Sequence, residues 1–348
     1  MRAGRGRVVR EVLSALARLD GGERYILYCR EPADLQLDDR FTWRRVGRPD
    51  PLWHLVVAHT ASRECDAFLS TNSYLTTWAT RCPSAVIVYD LVPFVPGARA
   101  QKRAALIERT TIDVGVRRAA ALICISAATR RDLIDRVPSA ERRAVVVPLA
   151  ADALFGAPEA RAEAATVAAG HGIVRPYVLA AGTLEPRKNL GRLIDAWEQL
   201  PTQLCDTHEL VLVGPTGWEA DEILSRARDR AVRTIGYVSD ADLAALYAGC
   251  EVFAYPSLYE GFGLPILEAM AAGAPVLTSN VSSLPEVAGD AALLVDPRSV
   301  TAIRDALKQL LQDAPRRAAL RDAGRLRAAQ FSWERTAMEI RDILRAIS

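Results

Sequence analysis

The sequence predicts an α/β protein of two domains, each a parallel sheet with helices on both faces. Three observations predict it. The chain has 348 residues, a length that suits roughly two domains. Hydrophobic residues make up 50% of it, enough for two large cores. Short apolar runs alternate with helix-length segments in two successive series, and strands that alternate with helices pair in parallel. A stretch rich in alanine, glycine and charge, 155–175, separates the series and reads as a linker with a short helix at 159–169.

The chain opens with Gly4-Arg5-Gly6-Arg7 and passes directly into a predicted helix over 8–19, where Val9, Val12, Leu13, Leu16 and Leu19 recur at helical spacing. A glycine loop entering a helix normally follows a strand, and none precedes this one. The first domain is therefore expected to lack its first strand, although a basic tail before a helix fits equally. Strands follow at 25–29, 41–46, 67–71, 85–90, 121–126 and 145–149, with helices at 99–119 and 127–136. Ser126 or Thr129 could begin the second of these. In the second series the strands are 177–181, 210–213, 234–238, 251–255, 275–278 and 292–295. Helices are predicted at 189–200, 219–230, 242–248, 265–272, 300–312 and 315–330, and a last amphipathic one at 333–347.

Composition removes several function classes. A net charge of +2 argues against a strongly basic nucleic-acid binder. The six scattered cysteines show no metal-ligand spacing and read as reduced thiols of a cytoplasmic protein. No apolar run reaches a membrane span, and the N-terminus has no signal-peptide pattern. The four histidines form no ligand set. Asp240-Ala-Asp242 follows Ser239, which suits a helix cap better than a metal site. There is no nucleophile elbow and no phosphate-binding loop ending Gly-Lys-Ser/Thr.

Two stretches carry chemistry. In Ser257-Leu-Tyr-Glu-Gly-Phe-Gly-Leu-Pro-Ile-Leu-Glu268 a strand runs into a glycine turn and then a helix, with Pro265 near its first position. Glu260 precedes the turn and Glu268 lies about one helical turn in. The helix start offers N–H groups to an anion, and carboxylates accept hydrogen bonds from sugar or ribose hydroxyls. Phosphates plus hydroxyls describe a nucleotide sugar. Spacing alone fits an ordinary strand–turn–helix with solvated glutamates just as well. The second stretch is the loop 182–188, ending in Arg187-Lys188 before a helix that Asn189 could cap. Two cations with helix N–H groups suit a diphosphate; a solvated Arg-Lys pair is the plain alternative. Both stretches end strands of one predicted sheet, where such sheets bind ligands. In the first series Tyr89 and Asp90 end a strand in the same way, as acceptor-side candidates or a simple turn.

These motifs resemble those of the retaining glycosyltransferases of family 4. The residues that carry the resemblance are 181–190, Leu212-Val-Gly214, Gly236-Tyr-Val-Ser-Asp240, 256–268, Gly273-Ala-Pro-Val276 and 284–290. It implies the GT-B fold, two Rossmann-like domains facing a cleft. The expected domains are 1–165 and 166–331, with 332–348 a helix crossing back to the first. It also implies roles. Arg187 and Lys188 would hold the donor diphosphate beside Gly182. Glu268 would bind ribose, and Tyr237 and Val238 would lie near the base. Glu260 would contact the transferred sugar, with backbone groups of Gly261, Phe262, Gly263 and Leu264 beside it. Arg187, Lys188, Glu260 and Asp90 form the expected catalytic set.

The implied reaction is retaining and metal-independent, and it needs no cofactor. It moves a hexose from a nucleotide sugar to a glycan or lipid-linked acceptor. The form of the 182–189 loop resembles mannosyltransferases, so GDP-mannose is the expected donor. The basic first helix offers a peripheral contact with an anionic inner membrane face; its arginines also suit a solvated face. Relatives often carry His-Asp where this chain has Tyr89-Asp90. With the missing strand, that motivates a second class of reading, a nucleotide-sugar-binding protein or partner subunit with impaired catalysis.

Overall fold

The computed structural model describes residues 4–71, 73–94 and 102–348, with side chains of the helix Lys102–Arg118 described from residue 109. The described chain divides into two compact units. One contains the residues up to 94, 102–149 and 332–348; the other contains 150–331.

In the first unit β3 (Phe68–Ser70), β4 (Ser84–Val88), β5 (Ala121–Cys124) and β6 (Ala144–Val146) form a parallel sheet in chain order, and β1 (Tyr25–Cys29) pairs in parallel with β2 (Phe41–Arg45). β4 and β5 are buried along their whole length, as expected of strands covered on both faces. Their side chains meet Ile112, Val116 and Leu133 from the flanking helices. Among the described residues no strand precedes the first helix. That helix begins at Arg5 rather than Val8, so Arg5-Gly6-Arg7 form its first turn and Gly4 alone, at φ 56°, is the entering glycine. The final helix, Trp333–Ile347, packs on this first helix and on β4 and β5. Thr336 Oγ1 donates to the Pro148 carbonyl at 2.6 Å, and Arg18 pairs with Glu334 at 2.6 Å.

In the second unit β7 (Tyr177–Ala181), β8 (Glu209–Val213), β9 (Arg233–Gly236), β10 (Val252–Tyr255), β11 (Val276–Ser279) and β12 (Ala292–Val295) form one parallel sheet of order β12-β11-β10-β7-β8-β9. The chain winds outward from β7 through β9, returns to β10 on the other side of β7, and winds outward again. β7 and β10 are thus neighbours whose following loops depart in opposite directions, the geometry in which α/β sheets open a ligand crevice. One core packs β7, β8 and β10 against Leu193, Ile194, Trp197, Ile303 and Leu307.

The expected boundary at 165/166 is corrected to 149/150. The alanine-rich stretch is the helix Pro158–Gly170 of the second unit, and its alanines are functional packing rather than linker composition. Ala160, Ala164 and Ala168 form its buried stripe, and their small size lets it pack closely on the helix Asp240–Gly249. Phe155, just before it, is buried edge-on to Tyr247 at 5.8 Å. Four helices were not foreseen: Leu52–Glu64, Tyr74–Ala79, Thr202–Thr207 and Leu284–Ala288. None has a side-chain cap, and in the first the exposed face carries Leu52, Leu55 and Val56, so polarity does not mark its two sides. Residues 99–101 of the predicted 99–119 helix lie outside the described residues.

β7 and β8 end in two glycine backbones in contact. Gly214 has φ 141°, and a Cβ there would stand 2.0 Å from the Gly182 carbonyl oxygen. Gly214→Ala is expected to lower the unfolding free energy by about 3 kcal/mol, read from urea unfolding of the full chain. A loss below about 0.5 kcal/mol would mean that the two backbones separate freely.

Candidate functional site

The site is built where β7 and β10 end. After β7 the chain continues through Gly182, held by Gly182 N–H to Val213 O at 2.9 Å, and closes a short 3-10 turn, Pro186–Lys188. After β10 it runs through Pro256 to the Gly261-Phe262-Gly263 turn and enters the helix Leu264–Ala272, with Pro265 in the first turn as foreseen. The loops are tied by backbone: Leu258 N–H donates to Arg187 O at 2.9 Å. They are also tied by Asn189. It does not cap its helix, as expected from sequence, because it is left-handed at φ 60° and turns its amide inward. Asn189 Nδ2 donates to Pro256 O at 3.0 Å and Pro297 O at 2.6 Å, and Oδ1 accepts from Arg192 at 2.8 Å.

Between the loops lies a buried ion cluster. Glu260 Oε2 pairs with Arg187 Nη1 and Oε1 with Lys188 Nζ, each at 2.7 Å. Arg187 also donates from Nη1 to Tyr259 O at 2.9 Å and from Nη2 to Glu185 Oε1 at 2.5 Å. Glu185 Oε2 in turn accepts from Trp218 Nε1 at 3.2 Å. Tyr255, the last residue of β10, accepts from Lys188 Nζ and donates to Glu260 Oε1 at 2.9 Å. The side chains of Arg187, Lys188 and Glu260 are only 18%, 11% and 10% exposed, so neither the solvated-glutamate nor the solvated-cation alternative describes this protein. The Glu260 backbone is fixed too. Its N–H donates to Ser282 Oγ at 3.0 Å, and its carbonyl shares the Ser283 hydroxyl with that of Phe262.

Charges inside such a cluster decide each other's protonation. Burial alone would raise the Glu260 pKa, but Arg187 and then Lys188 override it and bring it down to about 2. Burial opposes the charge on Arg187 as well, and Glu260 and Glu185 more than offset it. Burial lowers the Lys188 pKa despite the pull of Glu260. In chemical terms the site holds two cations and a carboxylate that is ionised at neutral pH, all largely buried. An anion and a polyhydroxyl compound both find partners there.

The other expected site residues are placed as follows. Gly182 lies beside Lys188: a Cβ on it would stand 3.5 Å from Lys188 Cε. Gly261, Phe262 and Gly263 form the turn after Glu260, and Leu264 opens the helix on which Glu268 is buried. Tyr237 and Val238 follow β9, which lies two strands and so about 10 Å from β7 across the sheet. Tyr237 is 57% exposed and Val238 is buried. Asp90 belongs to the first unit and is used locally, its Oδ1 accepting from Val92 N–H at 3.2 Å and its Oδ2 standing 3.8 Å from Arg5 Nη2. Beside it the Tyr89 ring is buried, with the Arg5 guanidinium 5.2 Å from its centroid, and its hydroxyl has no hydrogen-bond partner among the described residues. Asp240-Ala-Asp242 is a cap: Asp242 N–H donates to Ser239 Oγ at 3.0 Å. No group of three or more metal-ligating side chains occurs among the described residues.

Sequence reasoning missed Tyr255, Glu185, Ser282 and Ser283. The one signal for Tyr255 was a hydroxyl-bearing residue ending an otherwise apolar strand.

The chain is similar to known proteins in family and fold. Residues 170–327 match the family model described as glycosyl transferases group 1. These residues are a glycosyl transferases group 1 domain. The domain contains every part of the cluster just described. O-antigen chain mannosyltransferase B of Escherichia coli is 49% identical over 162 residues, 45% of this chain and 42% of that protein. MMP alpha-(1->4)-mannosyltransferase of Mycolicibacterium hassiacum is 34% identical over 225 residues, 63% of this chain and 52% of that protein. The chain thus spans about half the length, or less, of these curated relatives. Among solved structures, Anabaena HepE in complex with UDP-glucose aligns over 99% of this chain and 97% of its own, with TM-score 0.79 and 18% identity. The glycosyltransferase WaaG aligns over 99% and 96%, with TM-score 0.76 and 18% identity. The fold is that of the GT-B glycosyltransferases.

The cluster makes acid stability depend on Glu260. Its pKa is depressed on folding, so its contribution is complete above about 4.5 and is lost as pH falls toward 2. The urea midpoint of the wild type should therefore fall more steeply between pH 5 and 3 than that of Glu260→Gln, the two converging at the acid end. Parallel curves would show that Glu260 is not ionised within the cluster.

Proposed function

We propose that this protein is a retaining hexosyltransferase that moves mannose from GDP-mannose to a glycan or lipid-linked acceptor, without a metal ion or other cofactor. The observation that carries the proposal is the Arg187–Lys188–Glu260 cluster at the ends of β7 and β10. When a glycosyl–phosphate bond breaks, negative charge grows on the leaving diphosphate. Arg187 brings a planar fork and Lys188 a point charge to that position. Fixed charges in a dry site stabilise a transition state more than they would in water. They also supply the neutralisation for which other enzymes use a divalent ion.

The remaining residues divide the donor between them. Glu260 accepts hydrogen bonds from hydroxyls of the sugar, with the backbone of Gly261 to Leu264 beside it. Glu268 takes the ribose. Tyr237 and Val238, after β9, take the base. The mannose assignment is supported by the relatives, whose names describe mannosyltransferases. Tyr89 and Asp90 of the first unit are the groups proposed for the acceptor. Among the described residues no helix is long and apolar enough to cross a membrane. A lipid-linked acceptor would thus be met at a membrane surface. All six cysteines are free, which suits the reducing cytoplasm.

Three experiments test this. Arg187→Ala and Lys188→Ala should each lower kcat/KM for mannosyl transfer by roughly 10²–10³, and Glu260→Ala should abolish donor hydrolysis. A wild type that binds the donor without any turnover would instead support the non-enzymatic binding protein. Glu268→Ala should weaken GDP by roughly tenfold or more while leaving inorganic pyrophosphate unchanged; equal losses for both ligands would remove Glu268 from the ribose. UDP bound tenfold more tightly than GDP in saturation titrations would rule out GDP-mannose.

A further inference from the structure

We infer that Tyr255 is a positioning residue of this transfer, its hydroxyl locking the Lys188 ammonium onto Glu260 at the end of β10. The inference rests on the functional reading above for what the lock is used for, but not for the lock itself. An ammonium can only donate hydrogen bonds and a carboxylate can only accept them, whereas a phenol does both. The Tyr255 hydroxyl accepts from Lys188 Nζ and donates to Glu260 Oε1 at 2.9 Å, and Lys188 Nζ reaches the same oxygen at 2.7 Å. The three groups close a ring in which each fixes the other two.

Packing does not require that hydroxyl. The rest of β10, Val252, Phe253 and Ala254, is buried and apolar. The Tyr255 ring stacks on Phe253 at 5.7 Å, work that a phenylalanine would do. A buried hydroxyl costs stability unless it is partnered, so its presence here is tied to the two charges. Thr278 Oγ1 donates to the Tyr255 carbonyl at 2.8 Å, which anchors the residue to β11. The ring also faces Lys188 Nζ, 4.8 Å from its centroid. Burial, and then Glu260, raise the phenol pKa well above its usual range, so the hydroxyl keeps its proton. Of the three N–H bonds of Lys188, two go to Tyr255 and Glu260. Among the described residues the third has no partner, which leaves it for a phosphate oxygen.

The test is Tyr255→Phe in the full chain. The sequence has only three lysines, Lys102, Lys188 and Lys308. Lysine labelled with ¹³C at Cε therefore gives three NMR signals, and Lys188 is identified by its loss in Lys188→Met. The groups facing Lys188 are Glu260, Arg187, Glu185 and Tyr255; only the last changes. Loss of an acceptor for the ammonium should move the Lys188 titration to lower pH. GDP affinity should change by less than about threefold because both cations remain, and kcat for mannosyl transfer should fall roughly 10²-fold, the cost of a small misplacement, with KM little altered. The alkaline limb of the rate profile should move down with the Lys188 titration.

An unchanged Lys188 titration overturns the lock. A shifted titration with unchanged kcat overturns the positioning role. Absence of donor binding and turnover in the wild type defeats the functional reading instead, and the titration still decides the lock.

Discussion

One carboxylate holding two cations away from water is the constraint on which this structure turns. Glu260 cannot be buried without Arg187 and Lys188, and neither cation can be buried without it. With Glu185 on the far side of Arg187 the cluster has two charges of each sign. Its net charge is therefore close to zero, so an arriving diphosphate gains little from long-range attraction. What the cluster offers is direction. Such an arrangement is a poor device for stability, since matched apolar groups would pack at less cost. It is a good one for meeting charge that appears only as a bond breaks.

The sheet order explains why the cluster forms where it does. The loop after β7 and the loop after β10 can meet because these strands are adjacent and their connections leave in opposite directions. Everything around the cluster then fixes the two loops to each other. Asn189 spans from the β7 loop to Pro256 and Pro297, Leu258 closes the backbone, and Ser282 and Ser283 hold Glu260 from the β11 side. Gly182 and Gly214 allow two backbones to touch at the same edge. Neutral hydrogen bonds thus fix the two loops beside the ion pairs that join Arg187 and Lys188 to Glu260.

Much of this was readable in the residues. The strands of the second unit are short apolar runs between clear turn residues, and their ends fell within a residue or two of the observed ones. Glu260, Arg187 and Lys188 were legible as a set because they end strands of one sheet. Their pairing with each other was not, because a sequence pattern gives proximity but not which partner a charge takes. Asn189 misled because an asparagine before a helix normally caps it, and only the left-handed backbone turns its amide inward. The stretch around 160 misled because alanine and charge describe both a linker and a helix packed through small residues. Tyr255 escaped because its ring satisfies the strand pattern and conceals the hydroxyl's role.

On the proposed reading, the chemistry of these groups also limits how a proton can leave the acceptor. A useful base has a pKa near working pH. Glu260, brought down to about 2, is too weak a base. Burial raises Tyr89 and Tyr255, so both remain protonated, able to donate or accept a hydrogen bond but not to take a proton. An imidazole at position 89 would have titrated near neutrality; the phenol does not, and so it serves as an orienting group at most. The oxygens of the departing diphosphate remain to take the proton. Arg187 and Lys188 would then have two opposed duties, to stabilise the leaving group and to leave one of its oxygens basic enough to collect the proton. The one N–H of Lys188 that is uncommitted among the described residues, rather than a full ring of donors, is suited to that compromise.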